Sequence, residues 1–219
     1  MGAEIDLLRN YPRSKRDISE RGKKKTAEDR AVARRFGREF FDGSRDQGYG
    51  GFSYHSRFWE PVIPTFKTHF GFTKNDSILD VGCAKGFMIY DFQRLIPGIS
   101  VCGLDISEYA IEHSLDSVKE FTQVGDAVDL PFENNSFDVG ISITTIHNLE
   151  IDDCAKALRE LERVSRRGSF VTLDAYRDDE EKERMEAWNL TAKTMMHVDD
   201  WKKFFLEIGY SGDYYWFIP

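Results

Sequence analysis

The sequence predicts an α/β fold: a doubly wound, mostly parallel sheet of seven strands, preceded by an N-terminal helical and aromatic extension. Three observations carry this. From Ser77 onward, short apolar runs alternate with helical stretches, the pattern of a parallel sheet covered on both faces. The stretch "SILDVGCAKGF", residues 77–87, passes from an apolar run into small residues and back to an apolar run. No internal repeat or low-complexity segment offers a competing architecture.

The elements follow in order. Residues 26–42 have helical composition, and "DGSRDQGYGGFSYHSRFWEPVIP" is rich in glycine and aromatics. Residues 62–70 read as a short helix behind Pro61. A boundary near Gly71 to Ser77 divides a helical arm and aromatic segment, 1–70, from the sheet domain, 71–219. Strands are expected at 77–81, 100–104, 121–124, 137–143 and 168–174. Helices are expected at 86–95, 107–116 and 152–164, and a further one near 198–208. The tail "DYYWFI" reads as edge strand.

With 219 residues, 41% hydrophobic and 14% aromatic, the chain is long enough to bury a substantial core. No apolar stretch approaches the roughly 20 residues of a membrane helix, and the opening residues lack a signal-type hydrophobic segment, so a cytoplasmic protein with no membrane association is expected. Cys83, Cys102 and Cys154 are odd in number and widely spaced, which suggests neither a disulfide framework nor a zinc site. A net charge of -8 argues against broad nucleic-acid binding. The arm is nonetheless locally basic: residues 9–40 hold twelve Lys or Arg against five Asp or Glu, while 174–186 hold seven acids against three bases. That basic run reads either as a solvated face or as an attractor of anions.

A strand that ends in small residues before a helix brings the backbone close to a ligand at the sheet's carboxyl end. The pattern Asp80-Val81-Gly82-Cys83-Ala84-Lys85-Gly86 is not G-x-G-x-x-G, and Asp80 stands where a diphosphate would be repelled. An acid there suits a ligand with a cationic end, such as an ammonium group. Asp105 ends the next strand, placed to accept both hydroxyl hydrogens of a ribose. Asp126 follows the third strand, where a short acid accepts from an exocyclic amine.

These residues together resemble the class I S-adenosylmethionine-dependent methyltransferases, a Rossmann-like family, over about residues 76–175. The matching motifs are "LDxGxGxG", "GxDxS" and "GDAxxLPFxxxSFD". The resemblance implies S-adenosylmethionine as the donor. It places Asp80, Gly82, Cys83, Ala84 and Gly86 in the loop around the methionine part, Asp105 at the ribose, Ile106 on the adenine face, Asp126 with Ala127 at the adenine edge, and Thr144 among the donor contacts. The family's middle glycine is Ala84 here, one added methyl. The flanks "GYGGFSYHSRFWEPVIPTF", "GLDISEYAIEHS", "TTIHNL" and "GYSGDYY" are similar to small bacterial methyltransferases of surface-polysaccharide and sugar biosynthesis, which implies a small polar, glycan-related acceptor.

Methyl transfer from a sulfonium needs alignment, exclusion of water and, for a hydroxyl acceptor, removal of a proton. His147, in the loop after the fourth strand, is the candidate base; its alternative is to cap the next helix or bond to backbone. Asn148 is placed either to cap or to orient the acceptor. Tyr49, Tyr54 and Arg57 belong to a glycine-punctuated segment that reads either as packing or as a lid, and Tyr176 is expected on the pocket's other side. No N/D-P-P-Y/F stretch follows the fourth strand, which disfavours base or glutamine N-methylation, and no metal constellation is evident. N-methylation of an amino metabolite, a nucleotide-binding oxidoreductase and a non-catalytic binding subunit stay as alternatives. A second copy of the chain as partner stays open.

Overall fold

The computed structural model describes residues 2–12 and 25–219. Part of the basic run, residues 13–24, lies outside them. Seven strands form the sheet: β1 (Ser77–Val81), β2 (Ser100–Asp105), β3 (Thr122–Val124), β4 (Phe137–Ile143), β5 (Ser165–Tyr176), β6 (Met196–His197) and β7 (Asp213–Phe217). Their order is β3-β2-β1-β4-β5-β6, and β7 also pairs with β5. Every registered pair is parallel, with Ile78 opposite Val101 on one side and Val139 on the other.

Helices among the described residues are α1 (Ala27–Ala33), α2 (Arg38–Asp42), α3 (Ser56–Trp59), α4 (Ile63–Phe70), α5 (Phe87–Leu95), α6 (Glu108–Glu112), α7 (Ile151–Val164), α8 (Asp179–Trp188) and α9 (Val198–Ile208). The expected helix over 26–42 is two helices, because Phe36 takes φ +49° and Gly37 caps the second. The expected 107–116 helix is shorter, with Ser107 capping it through a bond from Ala110 N. Periodicity missed α8 because only Met185 of its side chains is buried. Its start was legible all the same: Asp178 accepts from Glu181 N, and Asp179, Glu180 and Glu181 load the first turn with negative charge.

The strand period of two sorts the core into two layers. Leu79, Val81, Val171 and Leu173 face Leu158 and Leu161 of α7 with Trp201 and Phe205 of α9. Ile78, Val139, Ile141 and Phe170 face Ile63 and Phe66 of α4 with Ile89 and Phe92 of α5. Leu7 enters this second layer, so the N-terminal segment and the sheet share one core. Burying side chains such as Trp201 and Phe66 contributes about 1.5–3 kcal/mol each. That holds the strands in register and turns their carboxyl ends toward one mouth.

Candidate functional site

The mouth begins where β1 ends. Gly82, Ala84 and Gly86 all take positive φ, +86°, +49° and +77°. An added Cβ at Gly82 would stand 2.1 Å from Thr145 Oγ1, so this position admits no side chain. Ala84 adopts the conformation for which the family pattern carries glycine, at a cost of about 1–2 kcal/mol. Gly82 N and Cys83 N donate to Leu104 O at 2.7 and 3.1 Å. The Cys83 thiol is buried against Gly103, so this residue offers the loop its backbone alone.

Asp105 ties the loop down. Its carboxylate accepts from Ala84 N and Ser107 N, both at 2.8 Å. Burial raises its pKa and the two amides oppose that rise. Asp80 is 4% exposed and takes no side-chain hydrogen bond from a described residue; burial, then the charge of Asp105, hold its pKa well up. A buried carboxylate in that state lacks a cation.

Past Asp105 the surface turns apolar. Ile106 is 54% exposed and Val124 47%, two aliphatic side chains left outside the core at the ends of neighbouring strands. Asp126 is exposed, with Oδ1 accepting from Val128 N at 3.1 Å, and Ala127 packs against the core beside it. The cation-seeking Asp80, the ribose-type acid Asp105, an apolar shelf and a second exposed acid thus stand in sequence along one edge. A ligand with an ammonium, a ribose and an adenine fits that order.

After β4, Thr144 has φ +49°, fixed by bonds from its N to Thr172 O and Oγ1. His147 lies in a 3-10 turn, 146–148, and is 3% exposed. Its Nδ1 accepts from Asp174 N at 2.9 Å, and Nε2 stands 3.5 Å from Asp174 Oδ1. Burial lowers its pKa to about 3. The ring nitrogen free of hydrogen is therefore already engaged, so a base role for His147 requires that bond to break. Asn148 bonds through Nδ2 to Thr144 O at 3.5 Å and leaves a buried Oδ1 without a partner. Tyr176, the last residue of β5, meets His197 edge-on at 5.8 Å.

The N-terminal arm crosses this edge. Arg34 donates to Thr191 O and Ala192 O, and Ser107 Oγ donates to Phe36 O. Asp42 is the hub: it accepts from Lys85 Nζ at 2.6 Å, Tyr109 OH at 2.7 Å and Phe52 N at 2.9 Å. Lys85 belongs to the glycine loop after β1 and is itself buried. Sequence reasoning missed this hub, although a lysine inside a glycine loop was a visible signal. Tyr49 packs on Phe52 at 4.4 Å, and Phe52 stacks on Phe87 at 4.8 Å, over the first residue of α5.

Two further residues expected at the acceptor have other partners. Tyr54 donates to Asp91 Oδ1 at 2.8 Å, on the flank of α5, because that fully buried carboxylate needs donors; burial and this bond push the phenol up to about 12. Arg57 is exposed on α3, its guanidinium 4.8 Å from the Phe58 ring, at an outer groove with Ser56, Glu60 and Pro61. Tyr54 also meets Phe87, the first residue of α5, edge-on at 5.9 Å.

Comparisons with known proteins bear on the domain and the fold. A family model described as a methyltransferase domain matches residues 79–173. The chain is 34% identical over 127 residues to a tRNA (carboxymethyluridine(34)-5-O)-methyltransferase of Arabidopsis thaliana, covering 57% of this chain and 30% of that protein. It is 32% identical over 126 residues to a demethylmenaquinone methyltransferase of Symbiobacterium thermophilum, covering 53% and 49%. The chain thus spans half or less of these curated relatives. Among solved structures, the YcgJ protein of Bacillus subtilis shares the fold at a TM-score of 0.56 and 19% identity, covering 67% of this chain and 66% of that one. A putative methyltransferase of Bacillus halodurans does so at 0.51 and 21%, covering 67% and 68%.

Proposed function

We propose that this chain is a methyltransferase of the class I type with S-adenosylmethionine as donor, and that it methylates a small polar acceptor, with oxygen as the favoured atom; the methyltransferase-domain model that matches residues 79–173 supports this reading. The observation that carries the reading is the ordered edge: Asp80 buried without a cation, Asp105 beside the glycine loop, and the exposed Ile106 and Val124 between Asp105 and Asp126.

The donor supplies an activated methyl on a positively charged sulfur. The chain's own residues do the rest. Asp80 pairs with the ammonium, Asp105 accepts from the ribose hydroxyls, and Asp126 accepts from the adenine amine while Ile106 covers a ring face. The arm, held by Asp42 to Lys85 and Tyr109, excludes water from that edge. Asn148 and Tyr176 border the acceptor space beside β4 and β5. A sugar or glycan-linked hydroxyl is the acceptor we favour, supported by the similarity of the flanking motifs to methyltransferases of surface-polysaccharide biosynthesis.

A nucleic-acid acceptor, as in the name of the Arabidopsis relative, is the second reading, favoured by the basic run over 9–40 and opposed by the net charge of -8. Label from the donor entering bulk tRNA would select it.

The test of the donor site is calorimetry with S-adenosylhomocysteine. Asp105→Ala removes charge-assisted bonds of about 1.5–3 kcal/mol each and is expected to weaken binding by roughly tenfold or more. Unchanged affinity in the folded variant would remove Asp105 from the site. Tighter binding of NADH than of S-adenosylhomocysteine would favour the oxidoreductase alternative instead.

A further inference from the structure

A second carboxylate at this edge is buried without a hydrogen-bond donor. Asp174, near the end of β5, is 6% exposed, and the nearest group facing its carboxylate is His147 Nε2, at 3.5 Å too long for a firm bond. Its backbone is fully used: the N donates to His147 Nδ1 at 2.9 Å and the O accepts from Trp201 Nε1 at 3.0 Å. The residue is therefore fixed in place while its side chain keeps its accepting capacity open. Buried groups left in that state are concentrated at functional sites.

Position gives the group its role. Thr172 of β5 lies opposite Ile143 of β4, so Asp174 stands two residues further along, level with the segment that follows β4. That segment touches the donor loop through Thr145 and Gly82. Asp174 lies two strands away from Asp80, on the far side of β4.

We infer that Asp174 takes the proton of the methyl acceptor, and that the acceptor is accordingly a non-anionic, proton-bearing nucleophile, a hydroxyl or an amine. This rests on the methyl-transfer reading above. The acceptor's O–H or N–H bond breaks and the proton passes to an Asp174 carboxylate oxygen. The electron pair so freed forms the bond to the methyl carbon, and the carbon–sulfur bond breaks with its pair left on sulfur as a neutral thioether. His147 is a positioning residue: its Nδ1 accepts from Asp174 N, which places Nε2 3.5 Å from Asp174 Oδ1. A phosphate or carboxylate acceptor has no proton to give and is repelled by an ionised Asp174.

Burial raises the Asp174 carboxyl to about 7, where it exchanges a proton readily. His147 is the titratable group facing it, and no charge from β6, β7, α7, α8 or α9 contributes to that shift.

The test offers a metabolite extract, split on an anion exchanger into anionic and non-anionic pools, to the protein with methyl-tritiated S-adenosylmethionine. A cation exchanger then divides the second pool into amine and hydroxyl arms. Label is expected in the non-anionic pool, reduced about 100-fold or more in Asp174→Asn and partly recovered in Asp174→Glu, with S-adenosylhomocysteine affinity unchanged in both. Infrared difference titration gives a readout independent of turnover: the protonated-carboxyl absorption lost near neutral pH in the wild type is diminished by one group in Asp174→Asn, where the other buried carboxyls, Asp80 among them, still contribute. Label confined to the anionic pool, a full rate in Asp174→Asn, or an undiminished absorption in that variant would overturn the inference while methyl transfer stands. No label in either pool, nor in tRNA, would overturn both.

Discussion

His147 and Asp174 pull stability in opposite directions as pH changes. The folded Asp174 carboxyl sits at about 7 because it is buried, against about 3.9 unfolded. Between those values the native state holds a proton that the unfolded chain has released, so stability falls as pH rises from 4 to 7. His147 is the reverse: at about 3 when folded and about 6.5 unfolded, it lowers stability as pH falls from 6.5 to 3. Asp174→Asn removes only the first slope. Its stability relative to wild type should climb from pH 4 to pH 7 by on the order of 2–4 kcal/mol, read from urea unfolding at several pH values. A constant difference would show that Asp174 is not held protonated. Ala84 offers a second check at this scale. Ala84→Gly relieves φ +49° but loosens the unfolded chain, so a net gain of no more than about 1 kcal/mol is expected. The acids at the strand ends, Asp80, Asp105 and Asp126, were legible because apolar runs mark where strands stop. The Asp174–His147 pairing was not, since nothing in the spacing of residues 147 and 174 says that their strands are neighbours.

Among the elements, the arm over 36–54 crosses the edge where β1 and β2 end. Its hub is Asp42: burial alone would raise this carboxyl, but bonds from Lys85, Phe52 N and Tyr109 bring it down to about 2. A depressed carboxyl stabilises the fold above its unfolded pKa of about 3.9 and loses that contribution as pH falls toward 2, so the latch stays fastened at neutral pH. Asp42→Asn takes the charged partner from a buried Lys85 and should cost about 1–3 kcal/mol. Hydrogen exchange should accelerate over residues 36–54 more than over β1 or β4, and S-adenosylhomocysteine should slow it again. Equal protection in the variant, with or without that ligand, would return the arm to a packing role. The glycine and aromatic composition announced a special segment here. It could not tell which residues would face the donor loop, and it included Tyr54 and Arg57, which the structure turns toward α5 and an outer groove.

At the scale of the whole molecule, the N-terminal segment and the sheet stand or fall together. Ile5 N donates to Tyr214 O, Ala3 N donates to Asp213 Oδ1, and Leu7 is fully buried beside the α4 and α5 layer. Leu7→Ala should therefore cost about 2–5 kcal/mol, with fluorescence and circular dichroism reporting one shared transition. A separate, earlier loss of only the arm would show an independent unit. The sequence by itself determined the alternation of strands and helices, the glycine turn after β1 and the acids at the strand tips, because side-chain period and backbone freedom are local properties. Only the tertiary structure decided that β7 lies against β5, that the arm is latched by Asp42 to Lys85, and that Asp174 is buried facing His147. Those outcomes depend on contacts between residues far apart in the chain, whose energies of burial and pairing exist only once the whole core has closed.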